Sequence, residues 1–245
     1  MAGAALQWWM RRFAPEAMVP VNACVHFCGF RYGGGAYHPY ESYLRAVASG
    51  GKKAAAEAEL IDFVRHYRPR NMGEALGVGL RRAYPLWLFP WSRRNPPPAW
   101  RRTVEECPDI LTHFVEDGVA RPRLEAEFAW LDRALASISE HGFQPEKFRS
   151  PILARQLVNE AGEAAWLLLD GNHRVAALAA RGEQRVRVRY LPLATVRETA
   201  VLRWPQVRRG VYAPEDARAV FRAYFAGNRS PRTVKTPAPI VEAGA

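Results

Sequence analysis

The chain predicts an α/β (α+β) fold, and three stretches carry that prediction. Trp166-Leu-Leu-Leu-Asp170-Gly171-Asn172-His173-Arg174, continued by Val-Ala-Ala-Leu-Ala-Ala-Arg-Gly182, reads as a buried strand, a tight turn and a short helix. Arg185-Val186-Arg187-Val188-Arg189 alternates with the period of a strand and stops at Tyr190. Upstream, Leu124, Phe128, Leu131, Leu135 and Ile138 recur by four and three, the stripe of an amphipathic helix that Gly142 ends.

The first of these stretches organises the rest. Its apolar run is short, which suits a strand covered on both faces. Glycine at position 171 permits a backbone angle that other residues resist and a close approach by a neighbour or ligand. Asp170, Asn172, His173 and Arg174 crowd the turn and the first helical turn. The amides there lack intrahelical partners. With a cation from Arg174 and a donor from His173, this is a phosphate cradle in outline. The plainer reading is a cap: Asp170 capping the helix and Arg174 pairing with it.

Asp-Gly-Asn-His-Arg, followed by Ala-Ala and a terminal Gly, resembles the signature of the ParB/sulfiredoxin superfamily. It is most similar to the Asp-Gly-x-His-Arg form of that superfamily's free-serine kinases. The flanks resemble it too: Ser150-Pro151-Ile152-Leu153 before the motif, Val186, Val188 and Tyr190 after it, and Leu135-Ala-Ser137-Ile138 to Gly142 upstream. Arg121-Pro122-Arg123-Leu124 resembles the Pro-Arg segment that opens the same helix in ParB domains. The match covers about residues 120 to 192. It implies a ParB/sulfiredoxin-like core and a phosphotransferase using ATP, ADP or another nucleotide with Mg²⁺, acting on a small hydroxylated metabolite such as an amino acid or sugar. By the same resemblance Gly171, Asn172, His173 and Arg174 hold the nucleotide, Asp170 holds Mg²⁺ or the acceptor hydroxyl, and the catalytic glutamate is Glu125 or Glu127. Sulfiredoxins carry a cysteine where this chain has Asn172, which disfavours sulfinic-acid reduction. The Gly-Glu-Arg-Arg type motif of partition proteins is absent, and nothing after Tyr190 suggests a helix-turn-helix.

The 245 residues can bury a sizeable core, as one large domain or two small ones. A net charge of +11 ordinarily points to nucleic acid or an anionic surface. Four of the 35 basic residues are lysine and the remainder arginine, so composition bias competes with a binding patch as the cause. A nucleic-acid-binding or nuclease-like protein is therefore one alternative, and a nucleotide-gated interaction module without turnover is the other. Cys24, Cys28 and Cys107 are too few, and odd in number, for a disulfide framework, so a reducing cytoplasm is the expectation. No run reaches membrane-spanning length.

Residues 1 to 98 are expected to form a mostly helical region. Met1 to Met18, with Leu6, Trp8, Trp9, Met10 and Phe13 beside Arg11 and Arg12, reads as an amphipathic docking helix, with peripheral membrane contact as the sharper alternative. Residues 19 to 32 read as extended, placing Cys24, His26 and Cys28 on one face. With His38 they approach a zinc set, but buried thiols beside a hydrogen-bonded histidine fit better. A helix is expected from Ala54 to Tyr67 on a stripe of Leu60, Ile61, Val64 and Tyr67, and a second from Met72 to Ala83. The aromatic run Tyr84 to Trp91, flanked by Arg81, Arg82, Arg93 and Arg94, either stacks a ligand or pins a loop to the core; the second is favoured. Pro96-Pro97-Pro98 marks the expected boundary.

Residues 99 to 205 form the expected core. Glu105, Asp109 and His113 fall four apart, a spacing that suits a divalent cation but more simply a solvated face. Residues 206 to 245 hold a helix opened by Pro214-Glu215-Asp216 and docked by Val220, Phe221, Tyr224 and Phe225, then a tail from Gly227 rich in proline.

Overall fold

The computed structural model describes residues 14–35, 37–93, 121–145 and 151–226. Six strands form one mixed sheet: β1 (Glu16–Pro20), β2 (Cys24–Val25), β3 (Leu153–Val158), β4 (Ala164–Asp170), β5 (Arg185–Tyr190) and β6 (Val196–Arg197). Their order is β1-β5-β3-β4-β2, with β6 beside β3. The helices are α1 (Pro39–Ala48), α2 (Lys53–His66), α3 (Met72–Leu76), α4 (Arg121–His141), α5 (Asn172–Ala180), α6 (Pro205–Arg208) and α7 (Pro214–Ala226). The expected α/β class holds.

The predicted strand–turn–helix is β4, Gly171 and α5, and the predicted alternation is β5, with Val186 and Val188 buried and Arg185 and Arg187 exposed. β3 and β4 form an antiparallel pair whose register shifts between Leu153 and Ala154, because Leu169 is an extra residue on the β4 side. This bulge falls next to Asp170 and re-aims the end of the strand.

Among the described residues, 14–35 and 37–93 supply two strands of the sheet as well as three helices. β1 and β2 are the two ends of the sheet path, β1 antiparallel to β5 (Glu16↔Arg189 through Pro20↔Arg185) and β2 parallel to β4 (Cys24↔Trp166). The main hydrophobic core draws on residues from Val19 to Tyr224, and Ala14 and Leu153 form a small second cluster. The expected boundary at Pro96–Pro98, the Glu105–Asp109–His113 set and the proline-rich tail lie outside the described residues. Of the predicted amphipathic N-terminal helix, Glu16 to Met18 are strand, since pairing with β5 satisfies their backbone.

Two other expectations are corrected, and one helix is new. The extended segment over 19 to 32 is broken by a 3₁₀ turn at Val21–Ala23 and by a turn after Val25 in which the Gly29 N–H donates to the His26 carbonyl. The helix expected to reach Ala83 stops at Leu76, because Gly77 takes a left-handed φ of 73° and caps it. α1 was not anticipated; it opens on Pro39 and buries Tyr40, Tyr43 and Leu44. By contrast α2 starts one residue early and ends one early, burying Leu60 and Val64 with Phe63, while Ile61 is only partly covered.

The aromatic run pins a loop. Tyr84, Trp87, Leu88, Phe89 and Trp91 are all buried, and Tyr84 stacks on Tyr212 at 3.7 Å. The Tyr84 hydroxyl donates to Asp216 Oδ2 (2.6 Å) and the Arg81 N–H to Asp216 Oδ1 (3.1 Å). Asp216 thus ties this loop to the first turn of α7, beyond favouring the helix dipole.

Burial also sets a pH dependence. It pushes the Cys24 thiol up to about 12, and burial with Glu59 and Asp62 nearby pushes the Tyr37 phenol up to about 12. Both groups stay protonated in the fold while the unfolded chain ionises them from about pH 8.5 and 10. Their contribution is present below those values and is lost as pH rises toward 12. The melting temperature is therefore expected to fall steadily between pH 8 and 11, and iodoacetamide at pH 8 to leave Cys24 unmodified in the folded protein. Mass spectrometry showing Cys24 alkylated as fast as in denaturant would overturn this.

Candidate active site

The site is built where β4 hands over to α5. Gly171 has φ 96°, and a Cβ there would lie 2.8 Å from Ile152 Cγ1, 3.2 Å from Ile152 Cα and 3.0 Å from Arg174 Nη2. The turn therefore needs glycine twice, for its backbone angle and for the close approach of the segment entering β3. The Arg174 guanidinium lies beneath it, 3.6 Å from Asp170 Oδ1 and donating to the Pro151 carbonyl at 3.3 Å. Arg174 is buried, so it stitches the turn to the neighbouring strand entry while placing a positive charge there. Asp170 is the more open partner.

Asn172 is buried and accepts a hydrogen bond from the Tyr32 hydroxyl at 3.0 Å. Tyr32 in turn stacks on His38 at 4.0 Å. Asn172 thus anchors α5 to the loop before α1.

His173 Nε2 lies 2.8 Å from Glu127 Oε1. Glu127 projects from α4 and is 1% exposed, and its other oxygen meets Arg123 Nη2 at 3.1 Å, one helical turn away. Arg123, 5% exposed, sits 5.0 Å over the Trp130 ring. The His173 ring is flanked by Tyr40 at 5.2 Å and Trp130 at 6.2 Å, and 17% of its side chain reaches solvent. A carboxylate only accepts, so with Glu127 ionised the imidazole donates from Nε2, and the neutral ring presents Nδ1 as its acceptor.

The two candidate glutamates are placed differently. Glu127 is in contact with His173; Glu125 is exposed, two residues along the helix and so on another face. Asp170, Gly171, Asn172, His173 and Arg174 are together by chain continuity. Arg123, Trp130, Tyr40 and Tyr32 complete the surroundings and were not singled out from sequence. The four-residue spacing of Arg123 and Glu127 was a usable signal for that pair.

No protein-family model, curated protein sequence or solved structure matches this chain.

The chemistry therefore rests on the geometry. A partly exposed imidazole held by a buried carboxylate is an arrangement for moving a proton. The N-terminus of α5, whose first intrahelical bond is Val175 N–H to the Gly171 carbonyl, favours an anion. The cysteine–histidine segment is put to another use: the Cys28 N–H donates to His26 Nδ1 at 3.0 Å and the Cys24 thiol to the Pro20 carbonyl at 3.6 Å. Among the described residues no group of three or more His, Cys, Asp or Glu side chains is placed to hold a metal ion. Nor is any helix there long and apolar enough to cross a membrane.

Proposed function

We propose that this chain is a nucleotide-binding protein of the ParB/sulfiredoxin kind that transfers a phosphoryl group to a small hydroxylated metabolite. The observation that carries the proposal is the His173–Glu127 contact. It joins the Asp-Gly-Asn-His-Arg turn, which resembles that of the superfamily kinases, to the helix before it, whose opening and end resemble those of ParB domains.

In this reading the phosphates lie at the first turn of α5. The acceptor oxygen attacks the terminal phosphorus, the bond from that phosphorus to the bridging oxygen breaks, and the nucleotide leaves with one phosphate fewer. The hydroxyl proton passes to the His173–Glu127 pair. Glu127, almost wholly buried between Arg123 and His173, acts by holding the imidazole in one orientation and offsetting its charge. Arg174 adds positive charge beneath the turn. Mg²⁺ typically binds through one or two carboxylates with waters and substrate phosphates, and the partly open Asp170 carboxylate fits a single-ligand role. Bound there, the ion would neutralise phosphate charge.

The test is thermal melting of wild type and His173→Ala with ATP, ADP, CTP and GTP, each with Mg²⁺. The expected result is a rise with one nucleotide that the variant loses, at least 1 kcal/mol of apparent stability once ligand exceeds about ten times its Kd. No shift with any nucleotide would overturn the reading.

A further inference from the structure

Arg123, Glu127 and Trp130 lie on one face of α4, at spacings of four and three residues, where α4 packs against α5. Glu127 stands between two partners. Its Oε1 meets His173 Nε2 at 2.8 Å and its Oε2 meets Arg123 Nη2 at 3.1 Å. The last torsion of a glutamate is soft and roughly two-fold, so the backbone does not set the plane of the carboxylate. What its two oxygens meet sets it. Arg123 is held in turn, with its guanidinium 5.0 Å over the Trp130 ring. Stacked there, it keeps its charge beside Oε2. An apolar pair would fill this place at less cost, but would offer His173 no acceptor.

We infer that Arg123 is a positioning residue for His173. At 5% exposed it is too buried to touch a substrate, and it acts through Glu127. By drawing Oε2 to itself it fixes the carboxylate with Oε1 on the imidazole, so the neutral ring keeps its proton on Nε2 and Nδ1 is the acceptor. Trp130 braces the guanidinium that does this. Without that cation Glu127 is a buried carboxylate short of one partner, and it gains by turning or by moving toward water. Either motion releases Nε2 and lets the ring populate both tautomers. The use of this tautomer to take the acceptor's proton rests on the phosphotransferase reading; the tautomer itself does not.

The experiment is the ¹⁵N magnetic-resonance spectrum of the full chain labelled at histidine, at about pH 8.5, above the ordinary histidine range. His173→Ala identifies the His173 signals among those of the six histidines. Wild type is expected to show one tautomer, protonated at Nε2. In Arg123→Met the shifts of the two ring nitrogens should approach each other as the tautomers mix, and Arg123→Lys, which returns a cation, should recover most of their separation. A purely structural ion pair would leave the pattern unchanged in a folded variant. Arg123→Met that melts cooperatively and keeps the wild-type pattern therefore overturns the inference. So does a wild-type ring protonated at Nδ1 or at both nitrogens. Should Arg123→Met not fold, Trp130→Leu removes the brace at a partly exposed position, and an unchanged pattern there overturns the inference equally. None of these readings uses a nucleotide. A tautomer that responds as expected, in a protein that no nucleotide stabilises, would uphold the positioning role and end the phosphotransferase reading.

Discussion

Glu127→Ala is expected to destabilise the protein by about 3–5 kcal/mol, a large share of the stability of a domain. The cost does not come from the value of the ion pair itself. Glu127 and Arg123 are both buried, and withdrawing two charges from water offsets much of their attraction. It comes from what remains: an Arg123 guanidinium in the same low-dielectric place, deprived of the carboxylate 3.1 Å away. The double substitution Arg123→Met with Glu127→Leu should therefore recover most of the loss, because it removes both charges and keeps apolar volume against Trp130. Urea unfolding of the three proteins measures this, and a single-variant loss under about 1 kcal/mol would show that the pair is solvated in solution. The two substitutions also separate stability from function. The double variant should be folded yet lose the nucleotide-dependent shift, since His173 no longer has its orienting carboxylate.

How much of this was legible in the sequence depends on the range of the interaction. The strand–turn–helix at Asp170 and the stripe on α4 were readable because each is set within a few residues by period and by glycine. Glu127 was nearly readable. It lies three residues after Leu124 and four before Leu131, so it falls beside the apolar stripe, whereas Glu125 falls farther round the helix. What sets the two apart is a contact with His173, 46 residues away. The same limit explains β1. Its five residues show weak alternation and follow a run that reads as helical, and only pairing with β5, more than 160 residues later, makes them a strand. α1 escaped because its apolar positions, Tyr40, Tyr43 and Leu44, are compressed into its first half. It matters to the site all the same, because Tyr40 closes one side of His173.

Gly171→Ala should cost on the order of 2–4 kcal/mol, a large effect for one added methyl. Two costs combine. A φ of 96° is unfavourable for any L-residue with a side chain, and the new methyl would press on Ile152 at 2.8 Å from its Cγ1 and 3.2 Å from its Cα. The second contact involves backbone and has no rotamer to relieve it. Gly182→Ala, at the other end of the same helix, isolates the first cost: its φ of 81° is also left-handed, but nothing lies within 4 Å of the added methyl. It should cost about 1 kcal/mol. If the two alanine variants unfold at the same urea concentration, the close approach at Ile152 is not a constraint on the turn. If Gly171→Ala loses clearly more, the chain must shift either Ile152 or the turn to accept the methyl. Either shift moves Asp170 and the first amides of α5 relative to His173 and Glu127. Nucleotide-dependent stabilisation should then fall in Gly171→Ala by more than its unfolding midpoint predicts and stay intact in Gly182→Ala, because only the first substitution disturbs the place where the strand end, the helix start and the buried glutamate meet.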